Sequence, residues 1–96
     1  MIVKFYISTN PKKKLMAIFY DNNNKQVKTI HFGSAGASDM TQHRDPIRKQ
    51  RYILRHQIRE NWDNYMTAGS LSRYILWNKP TLDESIIDYK KKFNLK

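Results

Sequence analysis

The sequence predicts an α+β domain in which a three-stranded antiparallel meander is followed by three helices packed on one side of the sheet. Three observations predict this order. Short apolar stretches separated by turn residues fill residues 1–33, a linker of small residues occupies 34–44, and helical periodicity with helix-start signals runs through 45–93. A chain of 96 residues is the length of a single domain.

The three strands are predicted at 2–9, 14–20 and 26–32. The first alternates apolar with polar or aromatic side chains, as a half-buried strand does. The second is apolar on both faces and therefore belongs in the centre of the sheet. A proline-containing turn at 10–13 and an Asp-Asn-Asn-Asn turn at 21–24 join the strands. Such short connections make neighbouring strands antiparallel.

The first helix is predicted over Asp45–Trp62, the longest stretch with one clear periodicity. Asp45 can accept hydrogen bonds from free backbone N–H groups at the helix start, and Pro46 fits the first helical position. Aliphatic residues recur on one side of this helix, and we expect them to face the core. They are Ile47, Leu54 and Ile58.

Two further helices follow in the sequence. Thr67 can cap the first of them, and Pro80 prevents its continuation. Thr81 and Glu84 have the spacing of a capping box for the last helix, predicted from about Leu82 to Phe93. The linker at 34–44 contains no Walker-type sequence, so we expect a plain connection between sheet and helices.

The net charge of +10, from 18 Lys and Arg against eight Asp and Glu, is the strongest global feature. It favours a polyanionic partner such as a nucleic acid, an anionic membrane surface or an acidic protein, with solubility as the alternative. The absence of cysteine excludes disulfides, thiolate zinc sites and cysteine nucleophiles. The longest apolar run, Leu15–Tyr20, is too short for a membrane span. Because the N-terminus lacks a signal-peptide pattern, we expect a protein that is not secreted and has no membrane partner.

An arginine stripe on the first predicted helix is the main functional clue. Its members are spaced for one side of a helix: Arg48, Arg51, Arg55 and Arg59. Guanidinium groups bind two phosphate oxygens at once, and a helix about 25 Å long could follow several phosphates. Other cations could extend this surface, namely Arg44, Lys12, Lys13, Lys14 and Arg73. Tyr52 and Trp62 lie among the arginines and could stack on bases. The alternative is an ordinary solvated helix face.

A second alternative to the nucleic-acid-binding role is a small metal-dependent nuclease, whose site would use His43, His56 and Glu60. His56 and Glu60 are four residues apart on one helical face, but a zinc site requires three or four ligands. We therefore expect no metal, no cofactor and no catalytic residue. No helix-turn-helix, zinc-finger or RNA-recognition signature is present, so base-specific recognition is not expected.

Several segments of the sequence are distinctive enough for comparison with known families. They are Arg48–His56, Glu60–Trp62, Thr67–Leu82, Ser85-Ile86 and Asp88–Lys90, and the Thr67-Ala68-Gly69 and Ile75–Pro80 segments are the most specific. Over residues 32–93 the chain resembles a family of small basic proteins encoded by large and giant DNA viruses of amoebae and algae, although Met40 replaces an expected aromatic. The resemblance implies an origin and not a mechanism. It places the protein in the host cytoplasm, in a viral factory or in the virion, and suggests a genome-associated role.

These observations predict a non-enzymatic nucleic-acid-binding protein that contacts phosphates without sequence preference, with DNA favoured over RNA. The main alternative is a structural or assembly protein of the virion. In that case the basic surface would meet acidic viral proteins, and the edges of the sheet would allow a homodimer.

Overall fold

Three antiparallel strands form one sheet in the computed structural model, which describes residues 1–96. The strands are β1 (Ile2–Ile7), β2 (Lys13–Tyr20) and β3 (Gln26–Ser34), in the order β1-β2-β3. The predicted meander with a central second strand is therefore confirmed. In the turn between β2 and β3, the Asp21 side chain accepts hydrogen bonds from two backbone N–H groups, and Asn24 has a positive φ of 61°. Asn tolerates this conformation better than most residues, which is why the turn forms here.

The core lies on one face of the sheet. Residues paired across the strands share a face, and Val3 opposite Phe19 and Ala17 opposite Ile30 point to the same side. The chain after the sheet contributes the other half of the core, with five buried residues: Leu71, Ile75, Leu76, Tyr89 and Leu95. The prediction that the helices cover one side of the sheet, in an α+β fold, is confirmed.

Four α-helices and one π-helical turn make up the helical part: α1 (Met40–His43), α2 (Pro46–His56), α3 (Ala68–Leu71), the π-helical turn Ser72–Leu76 and α4 (Leu82–Lys92). Each α-helix begins where the sequence supplies a side-chain acceptor for free N–H groups, namely Asp39, Asp45, Thr67 and Thr81. The predicted linker at 34–44 thus contains a short helix, α1. No helix is long and apolar enough to cross a membrane.

The arginine-rich helix α2 is shorter than predicted, because it ends at His56 and not at Trp62. Beyond a turn at 57–59, the Asn61 and Asn64 side chains accept hydrogen bonds from the backbone N–H groups two residues later. These local bonds compete with helix continuation. Arg59 therefore lies outside the helix.

The side of α2 that faces the protein is also different from the prediction. Ile47, Leu54 and Ile58, which we expected in the core, are exposed, and no residue of α2 is fully buried. The helix is held instead by Tyr52, whose ring lies parallel to that of Trp77 with the centroids 4.4 Å apart. The stacked aromatic contact therefore orients the helix, and the aliphatic stripe points to solvent.

Candidate functional site

A cleft of about 400 Å³ lies between α2 and the end of the sheet. Its walls come from four segments of the chain, within residues 13–14, 32–39, 52–60 and 68–77. The lining includes Lys13 and Lys14 of β2, Ser38 and Asp39 of the loop after β3, Tyr52, Arg55 and His56 of α2, and Glu60, Gly69 and Trp77. The cleft brings several of the predicted cations together.

A column of four aromatic rings stands at one side of the cleft. The His56 ring stacks on Tyr52 at 4.3 Å, Tyr52 stacks on Trp77 at 4.4 Å, and His43 contacts Trp77 at 5.3 Å. Burial, with the charge of Glu60, raises the pKa of Tyr52 to about 12, so its hydroxyl stays protonated at neutral pH. Both faces of the Tyr52 ring are covered.

The base-stacking role predicted for Tyr52 is therefore wrong, and one ring face of Trp62 is also covered. Tyr52 has no free ring face, and the Arg73 guanidinium lies over the Trp62 ring, 5.4 Å from its centroid. Both aromatic residues serve packing. The cleft consequently offers cations and polar groups to a ligand, and not an aromatic platform for bases.

The Lys14 ammonium ties the loop after β3 to the sheet. It forms an ion pair with Asp39 and donates a hydrogen bond of 3.2 Å to Gln42. Asp39 also accepts from the backbone N–H of Thr41 at 2.9 Å and caps α1, while the Gln42 side chain accepts from the Asp39 N–H at 3.1 Å. Lys14 lines the cleft, but its charge already has a carboxylate partner.

The three arginines within α2 are all exposed, and two of them border the cleft. Arg55 lines it directly, and the Arg48 Nη2 group donates a hydrogen bond of 3.0 Å to Ser38 Oγ on the opposite wall. By helical geometry, Arg51 projects about 40–60° away from these two side chains, toward the exposed aliphatic stripe. The predicted stripe is thus reduced to three residues of the helix, with Arg59 exposed in the turn that follows.

The other predicted cations are dispersed. Lys13 is exposed and lines the cleft opposite α2, whereas Lys12 lies in the exposed turn before β2. Arg44 is an exposed C-cap of α1 in the left-handed conformation, with φ 54°. The cations that line the cleft are therefore Lys13, Lys14 and Arg55, and Arg48 is bound to its wall through Ser38.

Arg73 is half-buried and does not line the cleft, so the structure does not bring it together with the other predicted cations. Its guanidinium lies over the rings of Trp62 and Tyr74, and its Nη1 group donates a hydrogen bond of 3.2 Å to the Trp77 carbonyl. Burial lowers the pKa of Arg73. The pKa of Lys49 is lowered too, mainly by burial and to a smaller extent by the positive charges of Arg73 and Lys79. Arg73 has a packing role between two rings.

The acidic residues are largely engaged by the backbone or by neutral side chains. Asp21, Asp39 and Asp45 accept backbone N–H groups in a turn and at two helix starts. Glu84 accepts from the Thr81 hydroxyl, and Asp88 accepts from the Asn78 amide at 2.7 Å. As a result, Lys14 is the only one of the 18 Lys and Arg side chains that forms an ion pair with a carboxylate.

The three residues of the nuclease alternative do not assemble into a metal site. His43 and His56 occupy opposite ends of the aromatic column, and the His43 Nδ1 atom accepts a hydrogen bond of 2.9 Å from the Asp45 N–H. No group of three or more His, Cys, Asp or Glu side chains is placed to hold a metal ion. The Glu60 carboxylate lies against Gly69 instead, where a Cβ atom would collide with it.

Sequence reasoning did not identify Asp39, Ser38 or Trp77 as parts of the site. For Asp39 a usable signal existed, because Asp39 and Gln42 have the spacing of a capping box. Ser38 and Trp77 carry no such local signal, since their roles depend on contacts with Arg48 and Tyr52.

A family model described as "Family of unknown function (DUF5754)" matches residues 3–56, more than half of the chain. The protein belongs to this family. The match covers the sheet, α1 and α2 and ends with the last residue of α2. No curated protein and no solved structure matches the chain.

Proposed function

We propose that this member of the DUF5754 family is a non-enzymatic nucleic-acid-binding protein that contacts phosphates at the cleft, largely without regard to base sequence. The observation that carries the proposal is the unbalanced charge: Lys14 alone among the 18 Lys and Arg side chains is paired with a carboxylate. Unpaired cations attract a polyanion and release its counterions on binding.

The geometry of the cleft supports contact with a phosphate backbone. Lys13 stands on the sheet side, and Arg55 stands on the α2 side, so cations face the same space from two walls. Arg48 is held beside it by Ser38. Phosphate contacts fix the position of a nucleic acid but carry no sequence information, and the covered Tyr52 ring offers no stacking surface. These features favour sequence-independent binding.

The resemblance to proteins of large DNA viruses is what favours DNA over RNA as the ligand. On the same basis, the protein would act in the host cytoplasm, in a viral factory or in the virion. Both statements are part of the proposal and depend on that resemblance, because the charge and the cleft fit either nucleic acid.

Charge reversal at the cleft tests the proposal. We compare the Lys13→Glu/Arg55→Glu double variant with a Lys28→Glu/Lys91→Glu control, which changes the net charge equally at exposed positions that do not line the cleft. Anisotropy with labelled duplex DNA of about 20 base pairs should show a much larger loss of affinity for the cleft variant. Equal losses would show that the total charge matters and the cleft does not. No binding by the native protein at low salt would overturn the proposal altogether.

A structural role in the virion is the second candidate, and one observation favours it. The outer edge of β3 is not paired with another segment over Gln26–Ser34, so it is open to a strand of a second copy. The edge of β1 is partly occupied, because Lys96 exchanges backbone hydrogen bonds with Met1 and Val3. Sedimentation equilibrium would distinguish the candidates, since a stable dimer that ignores DNA supports this role and a monomer that binds DNA opposes it.

A further inference from the structure

The exposed side of α2 forms a second surface, distinct from the cleft. Three aliphatic side chains lie there in a row with large exposed fractions: Ile47 at 63%, Leu54 at 56% and Ile58 at 87%. Ile47 and Leu54 belong to the helix, and Ile58 lies in the turn that continues it. Single exposed apolar residues are common, but an aligned set on one helix is typical of an interaction site.

The spacing of this row is that of a helix–helix seam. The row contains four residues at steps of four, three and four: Ile47, Arg51, Leu54 and Ile58. This is the spacing of the two heptad positions that face the partner helix in a coiled coil. We call these four residues the α2 seam. Two arginines, Arg48 and Arg55, flank it on the side of the cleft. Gln50 and Gln57 flank it on the other side.

The fold itself does not account for the α2 seam. No residue of α2 is fully buried, and the helix is attached to the protein through the opposite side, where Tyr52 stacks on Trp77. An apolar row at the seam spacing therefore faces solvent along the entire helix. A partner that covered it would supply the apolar burial that α2 lacks in the isolated chain.

The charges around the α2 seam indicate which kind of helix would cover it. A second copy of this chain is disfavoured, because a parallel arrangement sets Arg51 against Arg51 and an antiparallel one sets the Arg48 and Arg55 flanks against each other. A membrane surface is disfavoured because the seam is only two positions wide and includes Arg51, whereas interfacial helices present a broad apolar face. A helix with apolar residues at its inward positions and Glu or Asp beside them matches every side chain of the seam.

We propose that the α2 seam binds an acidic amphipathic helix of a partner protein. The apolar residues of the partner would pack between Ile47, Leu54 and Ile58, and its carboxylates would face Arg51 and the flanking Arg48 and Arg55. The α2 seam and the cleft share Arg48 and Arg55 at their common border. This inference does not rest on the proposed nucleic-acid binding, because the aliphatic residues of the seam do not line the cleft.

The experiment uses a designed peptide of about 21 residues, three heptads, with Leu at the inward positions and Glu at the flanking ones. A peptide with Lys in place of Glu is the control. Labelled peptide is titrated with the full chain and followed by anisotropy. The acidic peptide should bind and the basic peptide should not. No binding of the acidic peptide at about 1 mM protein would overturn the proposal.

Single substitutions separate the seam from general attraction by charge. Leu54→Ser and Ile58→Ser should each weaken acidic-peptide binding about tenfold, because each removes one large apolar contact. Ile87→Ser changes an equally exposed aliphatic residue on α4, at 66%, and should have no effect. Arg51→Glu should weaken binding of the acidic peptide and narrow its advantage over the basic peptide, because Arg48 and Arg55 remain beside the seam. Unchanged acidic-peptide binding by Leu54→Ser would refute the seam as the contact.

The other occupants are distinguished in the same set of proteins. If vesicles of phosphatidylserine and phosphatidylcholine bind the native chain but not Leu54→Ser, and the acidic peptide does not compete, the seam is a membrane contact and the proposal fails. If the native chain is a dimer that Leu54→Ser dissociates, a second copy is the occupant and the proposal also fails. DNA affinity should be retained by Leu54→Ser, since that variant keeps every cation.

Discussion

Alanine in place of Gly33 should destabilise the protein far more than alanine in place of Gly36. Both glycines have positive φ, at 79° and 84°, so both substitutions strain the backbone in the same way. They differ in their surroundings. A Cβ at Gly33 would lie 2.5 Å from the Leu76 Cδ1 atom and 3.4 Å from the Lys14 Cβ atom, whereas a Cβ at Gly36 has nothing within 4 Å.

The expected magnitudes follow from these two contributions. The left-handed backbone costs about 1–2 kcal/mol with alanine, at either position. The collision at Gly33 adds about 1–3 kcal/mol, because Leu76 is buried and cannot move its methyl group into solvent. We therefore expect Gly33→Ala to lose about 2–5 kcal/mol of unfolding free energy and Gly36→Ala to lose about 1–2 kcal/mol.

Urea unfolding followed by tryptophan fluorescence measures both losses. The m-value should be the same in the two variants, so that the midpoints report stability alone. Gly33 and Leu76 both line the cleft, and Trp77 follows Leu76 directly, so near-ultraviolet circular dichroism should change only in Gly33→Ala. Equal losses in the two variants, within about 0.5 kcal/mol, would refute the close approach of β3 to the π-helical turn.

Three further predictions concern the site. Asp39→Asn keeps an acceptor at the start of α1 but removes the charge that pairs with Lys14, so we expect it to lower the unfolding free energy measured in urea by about 1–2 kcal/mol. Asp39→Ala also removes the acceptor and should lower the unfolding free energy by about 1 kcal/mol more. Identical losses in the two variants would contradict a contribution of the cap that is separate from the charge. Because the pKa of Tyr52 is raised in the folded state, the folded protein holds this proton to a higher pH than the unfolded chain does. The contribution of Tyr52 to the unfolding free energy is therefore unchanged below about pH 10 and decreases between about pH 10 and 12. Tyr52→Phe should make this decrease shallower in urea unfolding across that pH range, and an unchanged profile would contradict the burial of the hydroxyl. Arg55→Met should reduce the log–log slope of DNA affinity against salt by about one, whereas Arg73→Met should leave that slope unchanged. Equal reductions in the two variants would show that Arg73 also contacts the DNA.

The sheet could be predicted because its signals are local. Alternation identifies the strands, and the Asp21 and Asn24 side chains favour the turn through contacts within a few residues. The predicted strand ends differ from the observed ones by no more than two residues. The starts of α2 and α4 were predictable for the same reason, since Asp45 and Thr81 satisfy N–H groups in the first turn.

The orientation of α2 could not be predicted because it depends on a contact between distant parts of the chain. The aliphatic spacing of Ile47, Leu54 and Ile58 shows that the helix has an apolar side, but not what covers that side. In the structure, Tyr52 stacks on Trp77, which is 25 residues later, and this turns the apolar side outward. The expectation that these residues face the core was wrong for that reason.

The site was only partly predictable, for a related reason. Residue type and helical spacing identified Arg48 and Arg55, and both border the cleft. Residue type alone added Arg73 as a possible extension of that surface, although its guanidinium lies over the rings of Trp62 and Tyr74. Whether a cationic side chain is exposed or packed depends on which residues surround it in the fold. A single sequence does not show these tertiary contacts.

A salt series measures whether the unpaired cations of the cleft bind phosphates. The dissociation constant of the native protein for labelled duplex DNA of about 20 base pairs is measured from about 50 to 300 mM NaCl. We predict a log–log slope of several units, lowered by about two in the Lys13→Glu/Arg55→Glu variant, because each phosphate contact contributes about 0.9. Absence of binding at low salt, or a slope that the variant leaves unchanged, would contradict phosphate binding by these cations.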